Sequence, residues 1–316
     1  MGSELPVRQS PRILVLAVLS ALAALIAVVP LAGTSPAHAG ALASGTFRAL
    51  TYNIAGLPDF LSSAPKPRAP ATTAIGQRIG PFDIVNVQED FNYHAYLYAA
   101  DGHAYRTPTT GGAGFGSGLN TLSHLPYSDL DRITWDRCFI NQADCLTPKG
   151  FTFLRVRLAE GVHLDVYNLH ADAGDTAGDE WARRGNLAQL TSYIRAHSAG
   201  NAVLVMGDTN TRYTRTGDRI AQFAADNGLT DVWVRLVRGG VAPAPGTPDL
   251  GCPGTDPGVE CEVVDKILYR SGTGVTLDAT RYANLDSGFR DDRGRMLSDH
   301  FPIAADFTWT STPPAG

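Results

Sequence analysis

Ala202-Val203-Leu204-Val205-Met206-Gly207-Asp208-Thr209-Asn210 is the stretch on which the reading of this chain turns. Five consecutive apolar residues followed by Gly-Asp describe a short strand covered on both faces, not one with a solvent side. The acid and the amide at i and i+2 then leave the strand end together and can face one pocket. Just upstream, Asp179 to His197 places Leu187, Leu190 and Ile194 at helical spacing, so a helix leads into that strand. An Asx-turn is the plainer reading of Asp208 and Asn210.

Outward from this unit the pattern repeats in pieces. Leu154, Val156 and Leu158 alternate with Arg155 and Arg157, and Val162, Leu164 and Val166 alternate in the same way. Ala159-Glu160-Gly161 between them reads as a hairpin loop. Thr46–Tyr52 is the first strand, a helix covers Pro70–Ile79, and Ile84–Gln88 is a short apolar strand. A helix over Asp218–Asn227 is stopped by Gly228. Val263–Tyr269 and Phe301–Phe307 are the last strands. Mixed hairpins and strand–helix units imply an α/β protein with two sheets packed face to face and helices outside.

The chain has 316 residues, of which 44% are hydrophobic and 18% charged, a globular balance. Arg8 and Arg12 precede an apolar run, Ile13–Val29, and Ala37-His38-Ala39 is a small-x-small site. Residues 1–39 therefore read as a secretory signal peptide, with a retained anchor as the rival. Residues 40–45 are a small-residue lead-in, 46–308 one folded domain and 309–316 a polar tail. Without residues 1–39 the net charge goes from −5 to −6, with 24 basic against 30 acidic side chains. No polybasic patch remains, which argues against tight nonspecific nucleic-acid binding. All four cysteines lie in the exported part as two close pairs, Cys138/Cys145 and Cys252/Cys261. An oxidising compartment favours disulfides with local pairing, and zinc would need CxxC-type spacing.

The polar residues of interest sit at strand ends. Asn53 closes Thr51-Tyr52-Asn53-Ile54 and could bind a metal or a phosphate oxygen, or serve a turn. Glu89 ends an apolar strand, where a carboxylate is costly unless paired or bound to a cation. The alternative is an acid at the N-terminus of a helix over Asn92–Ala99. His170 ends an alternating strand and is a phosphoryl-oxygen donor or a structural histidine. Asp265 interrupts Val263-Val264-Asp265-Lys266-Ile267-Leu268-Tyr269 and needs a partner. Ser298-Asp299-His300-Phe301-Pro302 offers Asp299 as a ligand and His300 as a base oriented by Asp265.

The clusters TYNI, QE, LH, GDTN, VDKILY and SDHFP, in this order over about residues 46–308, resemble the endonuclease/exonuclease/phosphatase (DNase I-like) superfamily. The resemblance implies a four-layer α/β/β/α sandwich with two packed mixed β-sheets. It implies Asn53, Glu89 and Asp299 on the metal side, and His170, Asp208, Asn210, Asp265 and His300 as catalytic residues. Mg²⁺ is the implied ion, with Ca²⁺, Mn²⁺ or Co²⁺ as alternatives, and the reaction is water attack on a phosphoester. Either His300 or Asp208 could be the base.

Cys138–Cys145, Lys149-Gly150-Phe151 and Arg184-Gly185-Asn186-Leu187 are similar to the bacterial sphingomyelinase/phospholipase C branch. That branch carries an aromatic-rich membrane hairpin between the last two clusters. Here Arg270–Leu297 holds only Tyr282 and Phe289, so docking through a hairpin is not expected. The expected protein is a secreted, monomeric phosphodiesterase acting on a phospholipid head group or membrane surface. A secreted nuclease acting on nucleic acid is the alternative, and a phosphomonoesterase or non-catalytic binding module comes third.

Overall fold

A computed structural model describes residues 42–254 and 257–311. The expected signal peptide lies outside the described residues, as does most of the tail. In chain order the elements are β1 Ser44–Asn53, α1 Arg68–Ile79, β2 Ile84–Gln88, α2 His94–Ala100, β3 Tyr105–Arg106, β4 Asn120–Ser123, β5 Tyr127–Thr134, β6 Gly150–Ala159, β7 Val162–His170, α3 Ala177–His197, β8 Val203–Asp208, α4 Ile220–Asp226, β9 Thr230–Asp231, α5 Val232–Leu236, β10 Asp265–Arg270, β11 Val275–Asn284 and β12 Ile303–Ser311. They form two six-stranded sheets, ordered β11-β12-β1-β2-β4-β3 and β5-β6-β7-β8-β10-β9.

Each sheet is antiparallel except for one pair, β1 with β2 and β7 with β8. A parallel pair needs a crossover, and α1 and α3 supply the two. Three apolar layers follow from the alternation of side chains. Phe47, Ala49, Leu164, Val166, Leu204 and Met206 belong to the core between the sheets. Leu187, Leu190 and Ile194 of α3 cover the outer face of the second sheet, over Val203 and Val205. Ile75 and Ile79 of α1 cover Leu50, Tyr52, Val85 and Val87 of the first. This is the expected four-layer α/β/β/α sandwich. Truncating Leu204 to alanine, at 0% exposure, should cost about 2–5 kcal/mol.

Differences at the element ends have local causes. α3 starts two residues before Asp179 because Thr176 and Asp179 form a reciprocal capping box. Asp218 does not open α4. Its carboxylate instead accepts from Arg183 Nε (2.9 Å) and the Arg212 amide (2.8 Å). β12 begins after Pro302, which has no N–H to give the ladder. β5 and β11 escaped sequence reading because each is a bulged strand with charges among its apolar positions. β11 also takes up much of the stretch where a membrane hairpin would project. Phe289, further along, packs edge-on against Tyr52 with ring centroids 5.4 Å apart. Both expected disulfides are formed, Cys138–Cys145 and Cys252–Cys261. No helix among the described residues is long and apolar enough to cross a membrane.

Candidate active site

The inner face of the sandwich changes character toward one end. With side chains alternating, β2 presents Ile84, Asn86 and Gln88 inward, β7 presents Leu164, Val166, Asn168 and His170, and β8 presents Leu204, Met206 and Asp208. Apolar packing thus gives way to a buried amide ladder. Gln88 donates to Asn168 Oδ1 (2.7 Å), and Asn168 donates to the Val87 and Asn120 carbonyls (both 3.0 Å). Asn86 reaches from the first sheet to the Tyr167 carbonyl of the second (3.0 Å). These bonds fix the register of one sheet against the other directly beneath the site. Sequence reading missed this ladder, although polar residues at every second place along β2 and β7 signalled it.

Above the ladder the expected residues converge. His170 and Asp265 both pair with Asp208 in register, one from each neighbouring strand. Asn53 Nδ2 lies 3.1 Å from Glu89 Oε1 and 3.1 Å from Asp208 Oδ2. Asp208 Oδ2 is also 3.3 Å from His170 Nε2 and 3.6 Å from His300 Nε2. His300 Nδ1 is 3.0 Å from Asp265 Oδ2. Glu89, His170, Asp208, Asn210, Asp299 and His300 line a cleft of about 630 Å³, with Asn53 and Asp265 behind them. Asp299 is exposed at its edge and bonds to Ser63.

The two readings of several strand-end residues turn out to be compatible. Asp208 Oδ1 accepts the Asn210 amide (3.0 Å), an Asx-turn, while Oδ2 faces the site. Asn53 Oδ1 accepts the Ala55 amide (3.0 Å) while Nδ2 faces the carboxylates. Glu89 is different. α2 begins at His94 with no acid in its first turn, so Glu89 does not serve that helix. Its backbone φ of 55° turns it toward the cleft instead. Lys149 and Asp144, also missed as site residues, form an ion pair in the cleft lining.

The electrostatics separate the two histidines. Burial, reinforced by Lys149 and His300, pushes His170 down to about 3 despite the nearby Asp208, so its ring is neutral. Burial also opposes charge on His300, but Asp265 and Asp208 outweigh it and hold its pKa well above the ordinary value. Burial would raise Asp208, yet the two histidines, Lys149 and Asn53 bring it below the usual carboxylate range. Asp265 and Glu89 are both raised by burial, which His300 offsets at Asp265 and Lys149 at Glu89.

The donor set suits a hard cation. Four carboxylates meet here, and Asp265 Oδ1 is buried with no hydrogen-bond partner. Asp208, Asp265 and His300 bring ligand atoms within 4.8 Å of one another and form a candidate metal-binding group. Both His300 nitrogens already face those two carboxylates, so a cation between them would displace the imidazole's bonds. The Glu89 side, with the exposed Asp299, offers carboxylate oxygens without that loss, and Asn53 Nδ2 orients Glu89 Oε1 there.

Residues 70–240 match the model of Endonuclease/Exonuclease/phosphatase family 2, and the chain belongs to that family. It is 44% identical over 275 residues to a sphingomyelinase of Mycobacterium tuberculosis, covering 85% of this chain and 54% of the relative. The chain thus spans about half the length of the curated relatives it matches. Among solved structures, a Staphylococcus aureus beta toxin variant with bound magnesium ions superposes with a TM-score of 0.58. It is 14% identical, with 83% of this chain and 99% of that one covered. D. rerio TDP2 complexed with single-strand DNA product also gives 0.58, at 19% identity, covering 83% and 99%. Both likenesses establish the shared fold.

Proposed function

We propose that this chain is an exported, Mg²⁺-dependent phosphodiesterase of sphingomyelinase or phospholipase C type, with residues 46–308 as its catalytic domain. The 44% identity to a mycobacterial sphingomyelinase carries the substrate class. The leader pattern and the two disulfides support export. The cleft is poorly suited to nucleic acid. Among the described residues Lys149 is its one lysine or arginine, already paired with Asp144, against Glu89, Asp208 and Asp299.

Glu89, Asn53 and Asp299 would hold the cation, which neutralises phosphoryl charge and steadies the leaving oxygen. An ionised Asp265 can only accept, so once His300 has lost its second proton the neutral ring keeps the remaining one on Nδ1 and turns a bare Nε2 to the cleft. Water attacking phosphorus gives its proton to that nitrogen as the P–O bond to the lipid alcohol breaks. The departing alkoxide takes a proton from solvent, phosphocholine is left behind, and His300 returns its extra proton to solvent. Asp208 is the weaker acceptor because its carboxyl is held below the ordinary range, while that of His300 is raised. Neutral His170 and the Asn210 side-chain amide would donate to the phosphoryl oxygens.

One panel tests the assignment: sphingomyelin vesicles, plasmid DNA and a simple phosphodiester, each with Mg²⁺, Ca²⁺ or chelator. Phosphocholine release with Mg²⁺, lost on chelation, is expected. Nicked plasmid with untouched lipid would transfer the protein to the nucleases.

A further inference from the structure

The chain lacks an aromatic hairpin in Arg270–Leu297, yet its cleft is ringed by apolar side chains from elsewhere. Three loops border the mouth. The first, residues 57–65, follows β1, the second, 107–119, lies between β3 and β4, and the third, 138–148, holds the Cys138–Cys145 disulfide. Each contributes to the cleft lining, through Leu61, Gly114 and Leu146 among others. Each also points large apolar side chains into solvent: Phe60 at 82% exposure, Phe115 at 88%, Ile140 at 60% and Leu146 at 65%. The second and third loops are in contact, since a Cβ on Gly114 would sit 3.6 Å from the Leu146 carbonyl.

Charge is sparse on the three loops themselves, although the exposed Lys66 and Arg137 flank the first and third and the exposed Asp299 stands beside Ser63 at the cleft edge. Residues 107–119 contain no ionisable side chain, and the other two loops contain one each, Asp59 and Asp144. Neither is free. Asp59 accepts from the Arg68 amide (2.8 Å) and Tyr93 Oη (3.1 Å), and Asp144 is buried against Lys149. Burying exposed Phe and Leu is favourable, whereas burying unpaired charge is costly. A rim with the first and without the second suits an apolar interface. It is the opposite of what a polyanion would require.

We infer that these three loops dock the protein on a zwitterionic lipid surface, with Phe60 and Phe115 entering the head-group boundary and the cleft opening onto it. The inference rests on the phospholipid reading of the cleft. The rim is continuous with that cleft, so docking presents a head group to the site without lifting the lipid out of the membrane. With no lysine or arginine on the three loops themselves, attachment does not depend on anionic lipid or low salt.

The test uses the full chain and two variants. In Phe115→Trp, tryptophan emission should shift to the blue when phosphatidylcholine–sphingomyelin vesicles are added, and brominated acyl chains should quench it. The signal is the difference from the parent, whose four tryptophans give the background, so binding by residues 1–39, common to both proteins, does not mimic it. In Phe60→Ser/Phe115→Ser, hydrolysis of vesicle sphingomyelin should fall about tenfold or more, with detergent-dispersed sphingomyelin hydrolysed as before. Val241→Ser, at an exposed apolar residue away from the rim, should match the parent on both. Unshifted emission, or an equal loss on vesicles and dispersed lipid, overturns docking. No hydrolysis of dispersed sphingomyelin by the parent overturns the substrate reading instead. A concentration-dependent dimer that buries Phe115 in the absence of lipid would assign the rim to a second copy of the chain.

Discussion

His300 Nδ1 and Asp265 Oδ2 lie 3.0 Å apart, although the two residues are 35 positions apart and approach from different sheets. β10 brings Asp265 to the end of the second sheet, and the loop before β12 brings His300 from the first. The bond therefore exists only if the two sheets keep their register. The Asn86 and Asn168 bridges beneath it hold that register.

The pair predicts a pH effect with a definite sign. Asp265 favours the protonated imidazole and so raises the His300 pKa against burial. A base must be neutral, so activity should rise with pH as His300 loses its proton. Asp265→Asn should move that rise to lower pH and reduce the maximal rate. His300→Ala should lose on the order of 10²–10⁴-fold. The measurement is the pH–rate profile of Asp265→Asn at saturating Mg²⁺. An acid limb that stays in place would hand the role of base to Asp208.

Glu89 gives a stability crossover. Burial raises its carboxyl above the ordinary 4.5, so the ionised form is disfavoured in the fold. Its contribution is therefore destabilising once pH exceeds the unfolded value. In chelator at pH 7.5, Glu89→Gln should melt no lower than the parent. Added Mg²⁺ should raise the parent's Tm and leave the variant nearly unmoved. Equal Mg²⁺-induced shifts in both proteins would remove Glu89 from the metal site.

How much of this was legible beforehand depends on whether the signal is local. The strand at β8 and the helix at α3 announce themselves by run length and spacing, and both lie where the pattern puts them. The convergence of Asn53, Glu89, Asp208 and His300 is not local, since 247 positions separate the first and last. Only the ordered set of clusters made it visible. Gln88 lies inside the QE cluster and Asn168 directly before LH, and neither stands out, because a buried amide at a strand end looks the same whether it bonds across a sheet or caps a turn. Lys149 was noted as a likeness and not as a charge, because its pairing with Asp144 depends on how the disulfide loop folds back.

That loop supplies the third prediction. Cys138–Cys145 closes a short ring holding Asp144 and ending beside Leu146, both in the cleft lining. Loop-closure entropy for such a ring gives about 2–3 kcal/mol. Cys138→Ser/Cys145→Ser should lower stability by that order in denaturant titration. It should also lower activity, because Asp144 no longer holds Lys149 in place. Removing Cys252–Cys261, whose residues are absent from the cleft lining, should cost stability with a smaller effect on rate. Equal rate losses in the two double variants would show that the first disulfide has no special link to the site.

The last prediction separates His170 from His300. Burial first, then the charges of Lys149 and His300, hold His170 at about 3. Its ring is therefore neutral throughout the range in which an unperturbed histidine titrates. In the metal-free protein, imidazole NMR should show no titration of His170 between about pH 5 and 8, while His300 titrates above the usual histidine range. A neutral donor aimed at a phosphoryl oxygen acts alike at each of those pH values. His170→Gln should thus lower the rate by on the order of 10²–10³-fold and leave the acid limb where the parent's lies. The same lowered pKa acts on folding: stability from His170 is full above about 6.5 and is lost as pH falls toward 3, where the unfolded ring binds a proton and the folded one does not. His170→Gln should accordingly flatten the loss of Tm between pH 6 and 4. A His170→Gln profile whose limb moves with that of Asp265→Asn would mean that the two histidines titrate as one unit, and the division of roles between donor and base would fall.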